Sequence, residues 1–228
     1  MLEVNKKQRQ KADNLYLTLA GLFITALIVC NLIANKFVSV DLGFYTFTLS
    51  AGVLPYPITF LITDILSEMY GRKKTSRVVL MGFAALLFTI LILWLGKQFA
   101  AIESSPVSDS VYNAAFGNSQ RVIFASMTAY LVAQLVDVRL FHFWKRLTNG
   151  KMLWLRNNAS TMLSQLVDTT LVVGVLFYGK ESFETMSGFI IDGWLFKALA
   201  AFVDTIPIYI IVWIIRRQFN LKWGQEIS

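Results

Sequence analysis

The chain has 228 residues, of which 56% are hydrophobic, with a mean hydropathy of +0.57 and a formal net charge of +7. Soluble domains run nearer about 45–50% apolar, so this composition excludes an ordinary soluble domain and points to a multi-pass membrane protein. The basic residues lie in short stretches between long apolar runs, a pattern that membrane topology explains better than nucleic-acid binding. A single cysteine, Cys30, and a single histidine, His142, cannot make an internal disulfide or a zinc site, so no metal and no cofactor is expected.

Residues 1–14 are polar and basic, and Leu15–Ala34 is the first apolar run. Its 20 residues exceed the roughly 7–15 of a signal-peptide core, so it reads as a membrane helix that stays attached. Phe37–Gly52 alternates apolar and small residues around Gly43, which fits a short strand, an interfacial turn or a re-entrant piece. Five further runs follow: Val53–Met69, Ser76–Leu95, Arg121–Phe141, Asn158–Tyr178 and Gly193–Ile215. Each matches the length needed to cross a hydrocarbon core of about 30 Å. Pro55 and Pro57 stand where a first helical turn tolerates them. Ala100–Gln120 is polar and reads most simply as an ordered outside loop, with a lid as the lesser alternative. The expected fold is all-α: one domain over 1–228 with six transmembrane helices, an N-terminal segment 1–14 and a tail 216–228.

Loop charge sets the expected orientation. Lys6, Lys7, Arg9 and Lys11 precede the first run, and Arg72, Lys73, Lys74 and Arg77 follow the second. Arg139, Lys145, Arg146, Lys151 and Arg156 follow the fourth, and Arg216, Arg217 and Lys222 the sixth. The only basic residues of the alternate loops are Lys36, Lys97 and Lys180, and their acids include Glu103, Asp109, Glu181 and Glu184. The positive-inside rule then places both termini in the cytoplasm.

Acids recur inside the runs. Asp64 and Glu68 are four apart on one helix face, and Gln165 and Asp168 are three apart. Gln134-Leu135-Val136-Asp137 repeats Gln165-Leu166-Val167-Asp168 letter for letter, and Lys197 and Asp204 lie two turns apart. Asn31 and Asn35 share a face at the end of the first run. A charge at the centre of a membrane helix costs about 2.5–3.5 kcal/mol, so these groups must face one another, a cation or a wet cavity. Glu68 and Asp137 lie near basic residues and are equally readable as structural ion pairs or caps, while Asn31 and Asn35 suit caps or interhelical glue. Asp168 and Asp204 sit deep in their runs and favour a functional reading. Lys197 either snorkels outward or pairs with an aspartate.

Enzyme classes find no support: there is no Ser/His/Asp set, HExxH, Walker loop, GxGxxG or GxGD context. A channel would prefer rings of like residues. One pocket of mixed carboxylates and amides with aromatic walls suits a carrier of a small molecule.

Pro57-Ile58-Thr59-Phe60-Leu61-Ile62-Thr63-Asp64-Ile65-Leu66-Ser67-Glu68-Met69-Tyr70-Gly71-Arg72-Lys73 resembles the second-helix signature of the queuosine precursor transporters, the vitamin uptake transporter-like family. Gln134 to Val138, Asn158-Ala159-Ser160 with Ser164-Gln165 and Asp168-Thr169, and Lys197 with Pro207 and Tyr209 fall in the expected order; an acid at Asp204 departs from the pattern. The resemblance implies uptake of deazaguanine precursors (the cyano form preQ0, the aminomethyl form preQ1) across the bacterial inner membrane. It also implies a bundle similar to the substrate-binding subunits of energy-coupling-factor transporters. The candidate substrate contacts are Asp168, Gln165, Asp64, Asp137, Gln134, Asn158, Asn31, Lys197, Glu68 and Asp204. The expected partners are the deazaguanine and membrane lipid, with no nucleic acid; homo-oligomerisation is left open. The alternative is a binding subunit driven by a separate ATPase module. Such subunits carry an AxxxA stripe on the first helix, where this chain has Ala20, Ile24 and Ile28.

Overall fold

A computed structural model describes residues 6–34, 36–41, 43, 45–117, 120–177, 179, 181–222 and 224–227; Asn35 and Lys180 lie outside them. Helix α1 is Lys6–Leu32, followed by strands β1 (Phe37–Asp41) and β2 (Thr46–Ser50) and a 3-10 turn at Ala51–Val53. Then come α2 (Tyr56–Lys97), the short α3 (Asp109–Phe116), α4 (Gln120–Leu147), α5 (Leu153–Phe177) and α6 (Phe183–Phe219). The helices pack as α1 on α2, α2 on α4 and α6, and α5 between α4 and α6.

The distribution of polarity is that of a membrane protein. Leu80, Leu87, Phe88, Leu91 and Ile92 of α2 and Phe202, Val203, Ile206, Ile210 and Trp213 of α6 are exposed, while Asp64, Glu68, Gln134, Asp137 and Arg156 have no exposed surface. Three elements are long and apolar enough by composition to cross a bilayer: Lys6–Leu32, Ala51–Lys97 and Phe183–Phe219. Helices α4 and α5, with 28 and 25 residues, have the length. They are less apolar because they carry the buried amides and acids that line the interior.

Two expected loops are not loops. The basic stretch after the second apolar run is helical throughout: α2 breaks at Gly71 alone (φ 77°, ψ 169°), and Arg72 already lies in the next arm. That φ lies in the left-handed half of backbone space, where a side chain is strained, so glycine fits the hinge. Within Ala100–Gln120, residues Asp109–Phe116 form α3, capped by Ser108, whose hydroxyl accepts from the Val111 N–H.

Ending the first arm at the hinge leaves its last carbonyls without intrahelical donors. Lys145 Nζ donates to the Glu68 carbonyl at 3.2 Å, and the Ile227 N–H donates to that of Met69 at 2.6 Å. The C-terminal residues are therefore folded back onto the basic end of the bundle, where Ile227 is buried and Gly224 packs on Gly150.

The Phe37–Gly52 stretch resolves into the antiparallel β1–β2 hairpin, with Val38 opposite Leu49 and Val40 opposite Phe47. It is the one non-helical element of an otherwise all-α fold among the described residues. It is pinned by Ser50 Oγ donating to the Ala34 carbonyl at 2.6 Å and by the Phe47 ring against Phe196 of α6 at 5.3 Å.

Candidate functional site

The first arm of α2 carries the site as a ladder. Tyr56, Phe60, Asp64 and Glu68 recur every fourth residue, so they stack on one helix face over about 18 Å. Each rung meets a different set of partners on α4, α5 and α6.

The top rung, farthest from the basic end, centres on Asp168. Lys197 Nζ lies 2.6 Å from its Oδ2 and donates to Thr169 Oγ1 at 3.2 Å, while the Tyr56 hydroxyl donates to Asp168 Oδ1 at 3.4 Å. The Lys197 ammonium also sits 5.2 Å from the centre of the Tyr56 ring. Lys197 thus pairs inward rather than snorkelling. One turn below, Gln165 is 2% exposed, and neither its amide nitrogen nor its oxygen has a hydrogen-bond partner among the described residues. A cavity of about 10 Å³ lies here among Tyr56, Phe60, Thr161, Gln165, Lys197 and Asp204. That is room for about one water.

The middle rung brings together Asp64 and Asp137, whose carboxyl groups face each other within hydrogen-bonding reach. Ser164 Oγ donates to Asp137 Oδ1 at 3.0 Å, whereas neither Asp64 oxygen meets an amide or hydroxyl donor among the described residues. Gln134, one turn away on α4, is fully buried, and both ends of its amide are unpartnered among the described residues. Asn158 donates to Thr205 Oγ1 at 2.7 Å and to the Trp154 carbonyl at 2.8 Å, and its own oxygen has no donor among the described residues.

The bottom rung is Glu68, ion-paired with Arg216 at 2.5 Å, Arg156 at 3.0 Å and Lys145 at 3.5 Å. Lys145 also holds Glu226 of the tail at 3.0 Å. Glu68 therefore has cations from α4, α5 and α6, not from its sequence neighbours Arg72 and Lys73. A cleft of about 530 Å³ opens beside this cluster, lined by Arg72, His142, Lys145, Arg146 and Glu226. Burial and the nearby Lys145 and Arg72 charges push the His142 imidazole down to about 4.

Nine of the ten candidate residues thus lie along these three rungs. Asn31 stands apart: its amide donates to the Leu27 carbonyl of its own helix at 2.8 Å. Sequence reasoning missed Tyr56, although the four-residue spacing back from Asp64 through Phe60 points to it. It also counted Arg156 and Arg216 as loop charges. Both are helical and buried, and Arg156 stands only two residues before Asn158.

A bundle with an apolar outer surface and an acid–amide–lysine interior is a multi-pass membrane transporter in class. The chain belongs to the family described as "Putative vitamin uptake transporter", which matches residues 50–211. It is 30% identical over 172 residues to a "Probable queuosine precursor transporter" of Bacillus subtilis (strain 168), covering 75% of each chain. It is 26% identical over 179 residues to a protein of the same name from Haemophilus influenzae Rd, covering 74% of this chain and 70% of the other. It is 25% identical over 176 residues to the "Queuosine precursor transporter" of Escherichia coli K12, covering 74% and 73%. No solved structure matches. The relatives are named as transporters, and this protein is not an enzyme.

Proposed function

We propose that this protein is an autonomous carrier that brings deazaguanine precursors of queuosine, preQ0 or preQ1, across the bacterial inner membrane. The observation that carries the reading is the top rung: an unpartnered buried amide, Gln165, one turn from a carboxylate held between Lys197 and Tyr56. A guanine-like edge presents adjacent N–H donors that Asp168 accepts side by side, while Gln165 and Lys197 donate to its carbonyl and ring nitrogens. Tyr56 and Phe60 give its flat faces an aromatic wall. Asp204, Thr161 and Asn158 complete the surround. Kinship with the energy-coupling-factor binding subunits remains part of this reading, supported by six long helical segments when the two arms of α2 are counted apart.

Autonomy is supported by α1. Ala20, which would begin a docking stripe, is 5% exposed and packs into the core with Ile24 against it. Expressed alone in a host lacking queuosine synthesis and any energy-coupling module, the protein is expected to restore modified tRNA when precursor is scarce. Failure alone, with rescue on adding an ATPase module, would move it to the driven-subunit class.

The orientation follows from the clustered charges at the Glu68 end. Reporters fused after Ser228 and at Lys11 are expected to read cytoplasmic, and one at Ser105 external. A periplasmic signal from the C-terminal fusion reverses the assignment.

A further inference from the structure

The interior carries the carboxyls of Asp64, Glu68, Asp137 and Asp168 against the cations of Arg156, Lys197 and Arg216, while Lys145 and Glu226 offset each other at the rim. One acid is therefore in surplus, and a second when the half-buried Asp204 is counted with them. Glu68 and Asp168 have cations at ion-pair distance; among the described residues Asp64 and Asp137 have none. Two carboxylates in contact and out of water cannot both ionise, so one proton is retained between them. The hydrogen bonding fits one proton: Asp137 Oδ1 accepts from Ser164, the Ser160 and Thr161 hydroxyls also lie near the Asp137 carboxyl, and among the described residues neither Asp64 oxygen meets a hydroxyl or amide donor. An O–H on Asp64 donating to Asp137 Oδ2 serves both residues.

We propose that the Asp64–Asp137 pair is the site at which a proton enters the transport cycle, which makes the carrier a proton symporter. This rests on the carrier reading above and names its driving ion. The coupling element is Arg156. Its Nη1 approaches Glu68 Oε2 at 3.0 Å, yet none of its guanidinium nitrogens makes an aligned hydrogen bond among the described residues. Asp64 lies one turn along α2 from Glu68, so a swing of Arg156 by one turn exchanges one acid for the other. That swing opens the Glu68 clasp and gives Asp64 a cation. Asp64 then loses its proton to water at the opened basic end. Reprotonation of the pair returns Arg156 to Glu68.

The other charged groups around the pair are accounted for. Glu68 faces it from α2, Arg156 from α5 and the half-buried Asp204 from α6; Asp168 and Lys197 form a neutral pair one rung above. Lys145 and Arg216 are held in ion pairs with Glu68. His142, held near 4 at the basic end, is already neutral between pH 5 and 8 and supplies no response there. Asp204 is the remaining group that a pH effect must be separated from.

The test uses the purified full chain in proteoliposomes, with radiolabelled preQ0 and preQ1, and reads the ratio of uptake with an acid exterior to uptake without a gradient. Because it is a ratio, a change in affinity alone affects both arms. Wild type is expected to accumulate preQ0 by up to about tenfold per pH unit, the limit for one proton per neutral base, and Asp204→Asn, whatever its absolute uptake, to keep the wild-type ratio. Asp64→Asn, or Asp137→Asn should the first variant fold poorly, is expected to equilibrate base at a ratio of one. Gradient-insensitive uptake by wild type, or a preserved ratio in both variants, overturns the proposal. If no deazaguanine is bound or moved, the carrier reading fails instead. The pair is then tested alone by infrared spectroscopy at neutral pH, where a protonated-carboxyl band should be present and lost in Asp64→Asn. Its absence from wild type overturns the proposal on its own.

Discussion

Glu68→Gln is expected to abolish, or nearly abolish, recovery of folded protein. Glu68 is the shared anion of Arg156, Arg216 and Lys145, and its carboxyl has no exposed surface. Neutralising it leaves Arg156 and Arg216 without their anion and Lys145 with Glu226 alone. Removing one partner of a buried ion pair costs roughly 3–5 kcal/mol, a large share of what holds a domain together. The measurement is the thermal midpoint in detergent, read beside the yield of monodisperse protein. Arg156→Gln in the same chain removes one of the stranded charges and should restore part of the loss. A midpoint unchanged from wild type in the single variant would mean that water reaches the cluster and screens it.

The second large effect is at Asp168, where one substitution strikes both the proposed substrate contact and an ion pair. On that proposed reading, Asp168→Asn replaces an acceptor oxygen with a donor that would face the ligand's own N–H groups. Loss of such a charge-assisted contact should weaken deazaguanine binding by about 1.5–3 kcal/mol, or ten- to a hundredfold. It also strands Lys197, now 2.6 Å from a neutral amide, and should lower stability by about 3–5 kcal/mol. The double variant Asp168→Asn with Lys197→Met separates the two. It should regain stability, because no buried charge is left unpaired, and should remain weak in binding. Wild-type affinity in the stable double variant would remove both residues from the site.

The sequence shows which residues are costly in lipid but not which of them meet. Spacing along one helix places Asp64 with Glu68 and Gln165 with Asp168, because a face is a local property of the chain. It cannot pair Lys197 with Asp168, or Glu68 with Arg216, since those contacts depend on how α5 and α6 are rotated against α2. Charge counting has a matching blind spot: it treats every arginine near a run's end as solvated. Arg156 satisfies that count and is nonetheless drawn into the bundle, because a buried carboxylate within reach outweighs water for a guanidinium. The Gly71 hinge was hidden for a different reason. A cluster of four basic residues after an apolar run reads as a loop, whereas one glycine at positive φ breaks the helix without one. The hairpin needed long-range pairing of β1 with β2, which alternation over five residues suggests and cannot fix.

Both ends of the ladder are shut in this conformation. Tyr56 reaches across to Asp168 at one end, and at the other the tail contacts Lys145 and Met69 beside the Glu68 cluster. A cavity of about 10 Å³ cannot admit a bicyclic base, so the shut form and the receptive form are different members of one equilibrium. The dissociation constant that a titration returns is then the intrinsic one divided by the fraction of molecules standing open. Weakening either closure raises that fraction. Substitutions far from the base would therefore register as gains in affinity, and the tightest-binding variants of this carrier need not be its fastest.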